Sequence, residues 1–154
     1  VANIIKKENI NIKIKLYGEG PLDKMFKKKL KELKLTNLSI CKWASSSAEI
    51  FKGSNVFCIP SIKEPFGLIM GEAMMFGLPV ISTKTDGACE LFGNHPEKKG
   101  GIIVNISSPD ELVKAMIKLQ NKKFREMISN NARKNITNNF SIDILSSNLK
   151  KLLQ

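Results

Sequence analysis

Pro60-Ser-Ile-Lys-Glu-Pro-Phe-Gly-Leu-Ile-Met-Gly-Glu-Ala-Met-Met-Phe-Gly-Leu-Pro-Val-Ile81 is the stretch on which the reading of this chain turns. An apolar run at 56–59 is ended by Pro60, which cannot donate to a central strand ladder. After a loop, residues 67–76 read as an apolar helix closed by Gly77, and residues 79–82 read as the next strand. Strand, loop, helix, turn, strand is the arrangement that makes neighbouring strands parallel, with helices packed on the sheet.

Working outward, the same rhythm repeats. Residues 12–17 form a strand followed by the turn Gly18-Glu-Gly-Pro21, and residues 38–41 a second short strand. Ser46-Ser-Ala-Glu49 has the spacing of a capping box and predicts a helix through Ile50 and Phe51. Residues 101–104 give a last strand, and Ser108-Pro-Asp-Glu111 a helix start with Ser at the N-cap and Pro in the first turn. From Lys122 onward two helices are divided near Phe140 and Ser141. The fold class read from this is α/β, a parallel sheet with helices on both faces, in one domain spanning 1–154. No internal repeat or low-complexity linker interrupts it.

Composition sets limits on function. The chain has 154 residues, 42% hydrophobic and 25% charged, which suits a globular protein with one core. No apolar run approaches the roughly 20 residues of a membrane span. Cys41, Cys58 and Cys89 are odd in number and lack metal-ligand spacing, so they are expected as buried free thiols in a reducing cytoplasm. The formal charge is +11, and the first 34 residues hold ten lysines against four acids. Such a field attracts phosphates, anionic lipid and nucleic acid alike. Within 22–34, Leu22, Phe26, Leu30 and Leu33 recur at helical spacing, which puts most lysines on an opposite, solvated face. Nucleic acid is the partner least supported, because Trp43 and Tyr17 are the only residues of their kinds and no aromatics interleave with the basic ones.

The chemistry-bearing residues lie in the opening stretch. Glu64 stands in a loop leaving the carboxyl end of a strand, and Glu72 follows on the helix with seven residues between them. That edge of an open α/β sheet is where ligands bind, and a helix start offers free amides and a positive dipole end. A phosphate fits the amides around Phe66, Gly67 and Leu68, with Gly67 permitting close approach. Glu72, one turn past Leu68, can accept paired hydrogen bonds from vicinal ribose hydroxyls. Spacing alone leaves the plainer reading open, since a helix glutamate is usually solvated and a Glu-Pro pair often marks only a turn.

The segment resembles the signature of the retaining glycosyltransferases of the GT-B fold, family 4 (glycosyl transferases group 1), and specifically their C-terminal, donor-binding Rossmann-like domain. The likeness rests on the Pro-Ser strand exit, Glu64 and Glu72 as E-x7-E, and the Gly77-Leu-Pro-Val80 turn. Gly18-Glu-Gly-Pro21 matches the family's Gly-x-Gly-Pro turn, and Asp86-Gly-Ala-Cys-Glu90 its Gly-Gly-x-x-Glu loop. The resemblance implies that Glu64, assigned the catalytic position, and the backbone of Phe66 and Gly67 hold the donor sugar. It further implies that the Leu68 amide meets the diphosphate, Glu72 the ribose and the loop near Trp43 the edge of the base, with Gly18 also counted among the nucleotide-sugar-binding residues. Two departures stand out. Asp86 replaces the first glycine of the Gly-Gly pair, and the family's upstream Arg and Lys, which neutralise the diphosphate, do not occur in this chain. Glu90, Gly77, Pro79 and His95 are read as structural or surface residues.

The expected function is therefore donor nucleotide-sugar binding in a retaining, hexosyltransferase-type enzyme of polysaccharide, lipopolysaccharide or glycolipid synthesis. No cofactor and no metal are expected, there being no Asp-x-Asp motif. The expected partners are a nucleoside-diphosphate sugar, a second Rossmann-like acceptor domain missing from the N-terminal side, and an anionic membrane surface. The expected location is the cytoplasm, peripheral to the inner membrane face. Two other readings stay open: a non-catalytic nucleotide or phosphate module, and a basic membrane-association module. The resemblance also implies that residues 2–7 are the tail of a helix whose preceding strand, the first of the sheet, is missing. The strands at 12–17 and 56–59 would then flank a strand from outside the chain or pair with each other directly.

Overall fold

The computed structural model describes every residue except Trp43 and Gln154, and of Leu145 the backbone alone. Its contacts group into two compact units, Val1–Ile50 and Phe51–Gln154. In the first, α1 (Ala2–Lys7) precedes β1 (Ile14–Tyr17), α2 (Asp23–Glu32) and β2 (Leu38–Cys41). β1 and β2 are parallel, in register from Ile14 opposite Leu38 to Tyr17 opposite Cys41, so α2 is the crossover of a β-α-β unit. The Lys6 ammonium of α1 donates to the carbonyls of Leu33 and Lys34, each at 2.9 Å. A cation there meets the negative end of the α2 dipole. The Asn37 side chain donates to Ala2 O at 2.9 Å, tying α1 to the entry of β2. The short helix α3 (Ser47–Phe51) ends as the second unit begins.

The second unit carries β3 (Phe57–Ile59), α4 (Leu68–Met75), β4 (Val80–Thr83), α5 (Asp86–Phe92) and β5 (Gly101–Val104), then α6 (Pro109–Lys118), α7 (Lys122–Asn139) and α8 (Ile142–Leu152). Its three strands are parallel in the order β3-β4-β5. β4 is central and buried at all four residues, the pattern of a strand covered on both faces. α4 is apolar on nearly every side and sinks Met70, Ala73 and Met74 into the core. It packs against α7, whose buried residues are Ile128, Ala132, Asn135 and Ile136.

α7 reads as a polar, Asn-rich helix, yet it straps the unit together. The Ser129 hydroxyl donates to Gly77 O, Asn131 to Glu97 O at 3.0 Å, and Arg133 to Phe76 O at 3.3 Å. Buried Asn135 donates to both Leu91 O, at 2.9 Å, and Lys99 O, at 3.1 Å. Carbonyls that end helices and turns would otherwise be costly to bury.

Most sequence-predicted elements are present within one or two residues, including the division of the C-terminal helices at Phe140 and Ser141. The described strands form two parallel sheets, β1-β2 in the first unit and β3-β4-β5 in the second. Four expectations need correction. A helix, α5, occupies the segment read as a loop, because Thr85 caps it and Ala88, Leu91 and Phe92 are buried. The Ser46 capping box does not form as drawn, because Glu49 accepts from Ser45 in place of Ser46, whereas Ser108 is the N-cap of α6 with Pro109 next, as expected, but makes no side-chain cap bond. Glu111 turns back to Asn105 instead, and bonds from the Asn105 amide and side chain hold its carboxyl below the ordinary glutamate range. The apolar positions of α2 are not buried. Of the thiols, Cys41 and Cys58 are half-buried, with desolvation pushing Cys58 up to about 12, and Cys89 is exposed.

Gly100 shows how tightly α7 closes on the sheet. At φ +94° it lies against Ala132, and an added Cβ would fall 2.2 Å from the Ala132 Cα. Gly93, at φ +54°, has open space in the same direction. Gly100→Ala should therefore cost about 2 to 4 kcal/mol, combining overpacking with a left-handed backbone, whereas Gly93→Ala should cost only about 1 to 2 kcal/mol. Urea unfolding of both variants checks this, and equal losses would contradict the packing argument.

Candidate functional site

The loop between β3 and α4 is placed by three contacts. Thr83, at the carboxyl end of β4, donates its hydroxyl to Ser61 O, just past the end of β3. The Gly87 amide donates to Glu64 O at 2.9 Å. Gly87 also lies so close to Phe66 that a Cβ would fall 2.3 Å from the Phe66 carbonyl oxygen and 2.8 Å from its Cα. The loop carrying Glu64 and Phe66 and the start of α5 are thus one structure at the carboxyl edge of β3 and β4, where α/β sheets bind ligands.

Gly67 turns the chain into α4. It sits in the left-handed region at φ +75°, and its carbonyl accepts the first helical bond from Met70 N at 2.8 Å. Lacking a side chain, it leaves the first helical amides without a side-chain cap. A Cβ on Gly67 would meet Met70 Cε at 2.2 Å and Glu64 Cγ at 3.2 Å, so the Glu64 side chain lies against the glycine itself. An uncapped helix start with a positive dipole end beside a carboxylate is suited to hold a phosphate and a hydroxylated group at once.

Phe66, Gly67, Leu68 and Glu72 line one cavity of about 360 Å³, with Met75, Leu91, Ile136, Phe140 and Ile144 forming its apolar wall. Phe66 and Leu68 are 47% and 71% exposed, and Glu72 is exposed. Sequence reasoning missed the part of that wall made by Ile136, Phe140 and Ile144, which comes from α7, the turn after it and α8, more than sixty residues beyond Glu72. Glu64, half-buried, stands on the loop beside the cavity. Gly18 lies in the first unit, after β1, at φ +147° with open space around it. Trp43 lies outside the described residues.

The Asp86 departure is resolved by backbone geometry. Asp86 is the first residue of α5 and is not in the left-handed region, so a side chain there costs nothing. The close approach falls on Gly87. Thr85, unremarked in the sequence, accepts from Ala88 N at 3.4 Å and sets the helix start. Among the described residues no three His, Cys, Asp or Glu side chains gather to hold a metal.

Comparison with known proteins places this arrangement. Residues 1–135 match the family described as Glycosyl transferases group 1. The chain is 30% identical over 105 residues to a UDP-Gal:alpha-D-GlcNAc-diphosphoundecaprenol alpha-1,3-galactosyltransferase of Escherichia coli, covering 68% of this chain and 26% of that one. Among solved structures, the C-terminal domain of the group 1 glycosyl transferase LpcC from Francisella tularensis matches with TM-score 0.76 and 26% identity, over 92% of this chain and 76% of that one. Staphylococcus aureus TarM, in a structure containing UDP, matches with TM-score 0.82 and 22% identity, over 97% of this chain and 30% of that one, which is a likeness of fold. The chain spans about a quarter of the length of the curated relatives it matches. With an α/β architecture of parallel strands, a GT-B likeness over nearly its whole length and a family match over most of its residues, this chain belongs to the glycosyl transferases group 1 family.

Proposed function

We propose that this chain is the donor-binding domain of a retaining, hexosyltransferase-type glycosyltransferase that takes a nucleoside-diphosphate sugar. The observation that carries the reading is the joined loop: Gly87 packed on the Phe66 backbone and bonded to Glu64 O, with the uncapped start of α4 beside it. The E. coli relative is named for UDP-Gal and the TarM structure contains UDP, and both support a uridine nucleotide as the first ligand to try.

In this reading the Leu68 amide and the α4 dipole receive the diphosphate, Glu72 accepts hydrogen bonds from the ribose, and Glu64 with the Phe66 and Gly67 backbone holds the sugar. As the sugar departs, positive charge gathers at the anomeric carbon and negative charge on the leaving oxygen. Donors already oriented at the helix start favour that state over the ground state, and no metal is invoked. Glu64, lying against Gly67, is a positioning and electrostatic residue for the sugar. Gly18 and Trp43 are proposed for the nucleotide side. Acceptor contacts come from a second Rossmann-like domain outside these residues. The setting is the cytoplasm, at the inner membrane face, in polysaccharide, lipopolysaccharide or glycolipid synthesis.

Three variants test the assignment by titration calorimetry with uridine diphosphate and a uridine diphosphate sugar. Glu72→Ala should weaken both ligands by about 1.5 to 3 kcal/mol, the worth of hydrogen bonds to a charged group, while the domain stays folded. Undiminished affinity would remove Glu72 from the site. Glu64→Gln should leave uridine diphosphate binding intact and weaken the sugar-bearing ligand; equal losses would contradict its role. Gly87→Ala should displace the Phe66 loop, lowering stability by about 1 to 3 kcal/mol and weakening both ligands, whereas Asp86→Ala should leave binding unchanged. If Gly87→Ala binds normally, the two loops do not form one site.

A further inference from the structure

The sequence places an apolar stripe on α2 that the structure leaves uncovered. Leu22, Met25 and Phe26 are 53%, 52% and 45% exposed, and α2 contains no buried residue. These three positions are i, i+3 and i+4 on one side of the helix, and Lys29 continues the row at i+7. Leu30 and Leu33, further round, are half-buried. Residues 22–34 hold six lysines against Asp23 and Glu32, and every one of those lysines is exposed. The Lys28–Glu32 pair, at 3.8 Å, is loose and solvated.

An exposed apolar row flanked by unneutralised lysines calls for a partner that is apolar at depth and anionic at its surface. A bilayer with acidic headgroups has both properties in the right order, with the lysine stems reaching outward as the apolar row sinks in. Nucleic acid would answer the charge but would have no use for Leu22 and Met25, which offer no stacking plane.

We propose that the Leu22–Met25–Phe26 face of α2 docks in the plane of an anionic membrane surface. This rests on the reading that the protein works at the inner membrane face. It adds that the contact is made by the donor-binding domain itself, through one helix.

The test is sedimentation of the full chain with vesicles of phosphatidylcholine, with and without phosphatidylglycerol, alongside uridine diphosphate titration of each variant. The wild type should bind only the anionic vesicles, and less as salt rises. Joint substitution Leu22→Ser, Met25→Ser and Phe26→Ser should weaken that binding about tenfold or more through lost apolar burial. The pair Lys27→Gln and Lys31→Gln, at solvated positions, should weaken it without touching the apolar row. Uridine diphosphate binding should be unchanged in both, which shows that the fold is intact. No binding to anionic vesicles overturns the proposal, as does binding indifferent to the three apolar substitutions. Displacement of the vesicles by a single-stranded oligonucleotide with the same dependence on the lysines alone also overturns it, in favour of a nucleic-acid surface. Vesicle binding without any nucleotide binding would leave the docking face standing and refute the donor-binding reading instead.

Discussion

The approach of Gly87 to the backbone of Phe66 is the constraint on which the candidate site depends. No side chain fits between them, and the Gly87 amide is spent on Glu64 O. That single contact sets the loop after β3 by the start of the helix after β4, so that Glu64, the turn at Gly67 and the first amides of α4 occupy fixed places. β4 makes the contact possible. Its four residues are buried, and Thr83 at its end bonds the strand exit at Ser61. A close-packed strand transmits position well because it has no room to yield.

The second support comes from far along the chain. Ser129, Asn131, Arg133 and Asn135 of α7 donate to carbonyls at Gly77, Glu97, Phe76, Leu91 and Lys99. Helix and turn ends leave such carbonyls unpaired, and α7 answers several of them with side chains that look merely hydrophilic in sequence. The same helix presents Ile128, Ala132 and Ile136 to the core. Further round, it continues into the wall of the cavity beside Glu72. Folding the C-terminal part and shaping the site are therefore linked: loosening α7 would free the turn after α4 and open the cavity together.

Both units carry a net positive charge, and Lys63 adjoins Glu64 in the loop of the candidate site. In the first unit the charge gathers on α2, whose apolar row stays open, while Lys6 is committed to the carbonyls at the end of that helix. Among the described residues no helix is long and apolar enough to cross a membrane. Attraction by lysines and burial of a short apolar row are reversible and sensitive to salt, which suits a surface contact rather than an anchor.

Much of this was legible in the sequence because it depends on near neighbours. Strand and helix alternate visibly because Pro60, Gly77 and Pro109 act locally on the backbone, whereas Glu64 and Glu72 are singled out by the resemblance of their segment to the family signature, their spacing alone leaving a plainer reading open. The capping motifs were legible only in part: Glu49 and Glu111 chose Ser45 and Asn105, since a flexible carboxylate takes the best donor within reach rather than the one a pattern assigns. Tertiary structure alone decided the rest. It showed that 87 and not 86 is the position where only glycine fits, and that α5 forms once Leu91 and Phe92 find a core. It also brought the polar α7 across to satisfy carbonyls 34 to 57 residues away. Those outcomes depend on which surfaces meet at a few ångströms, and a local pattern of residue types carries no information about a neighbour that distant in the chain.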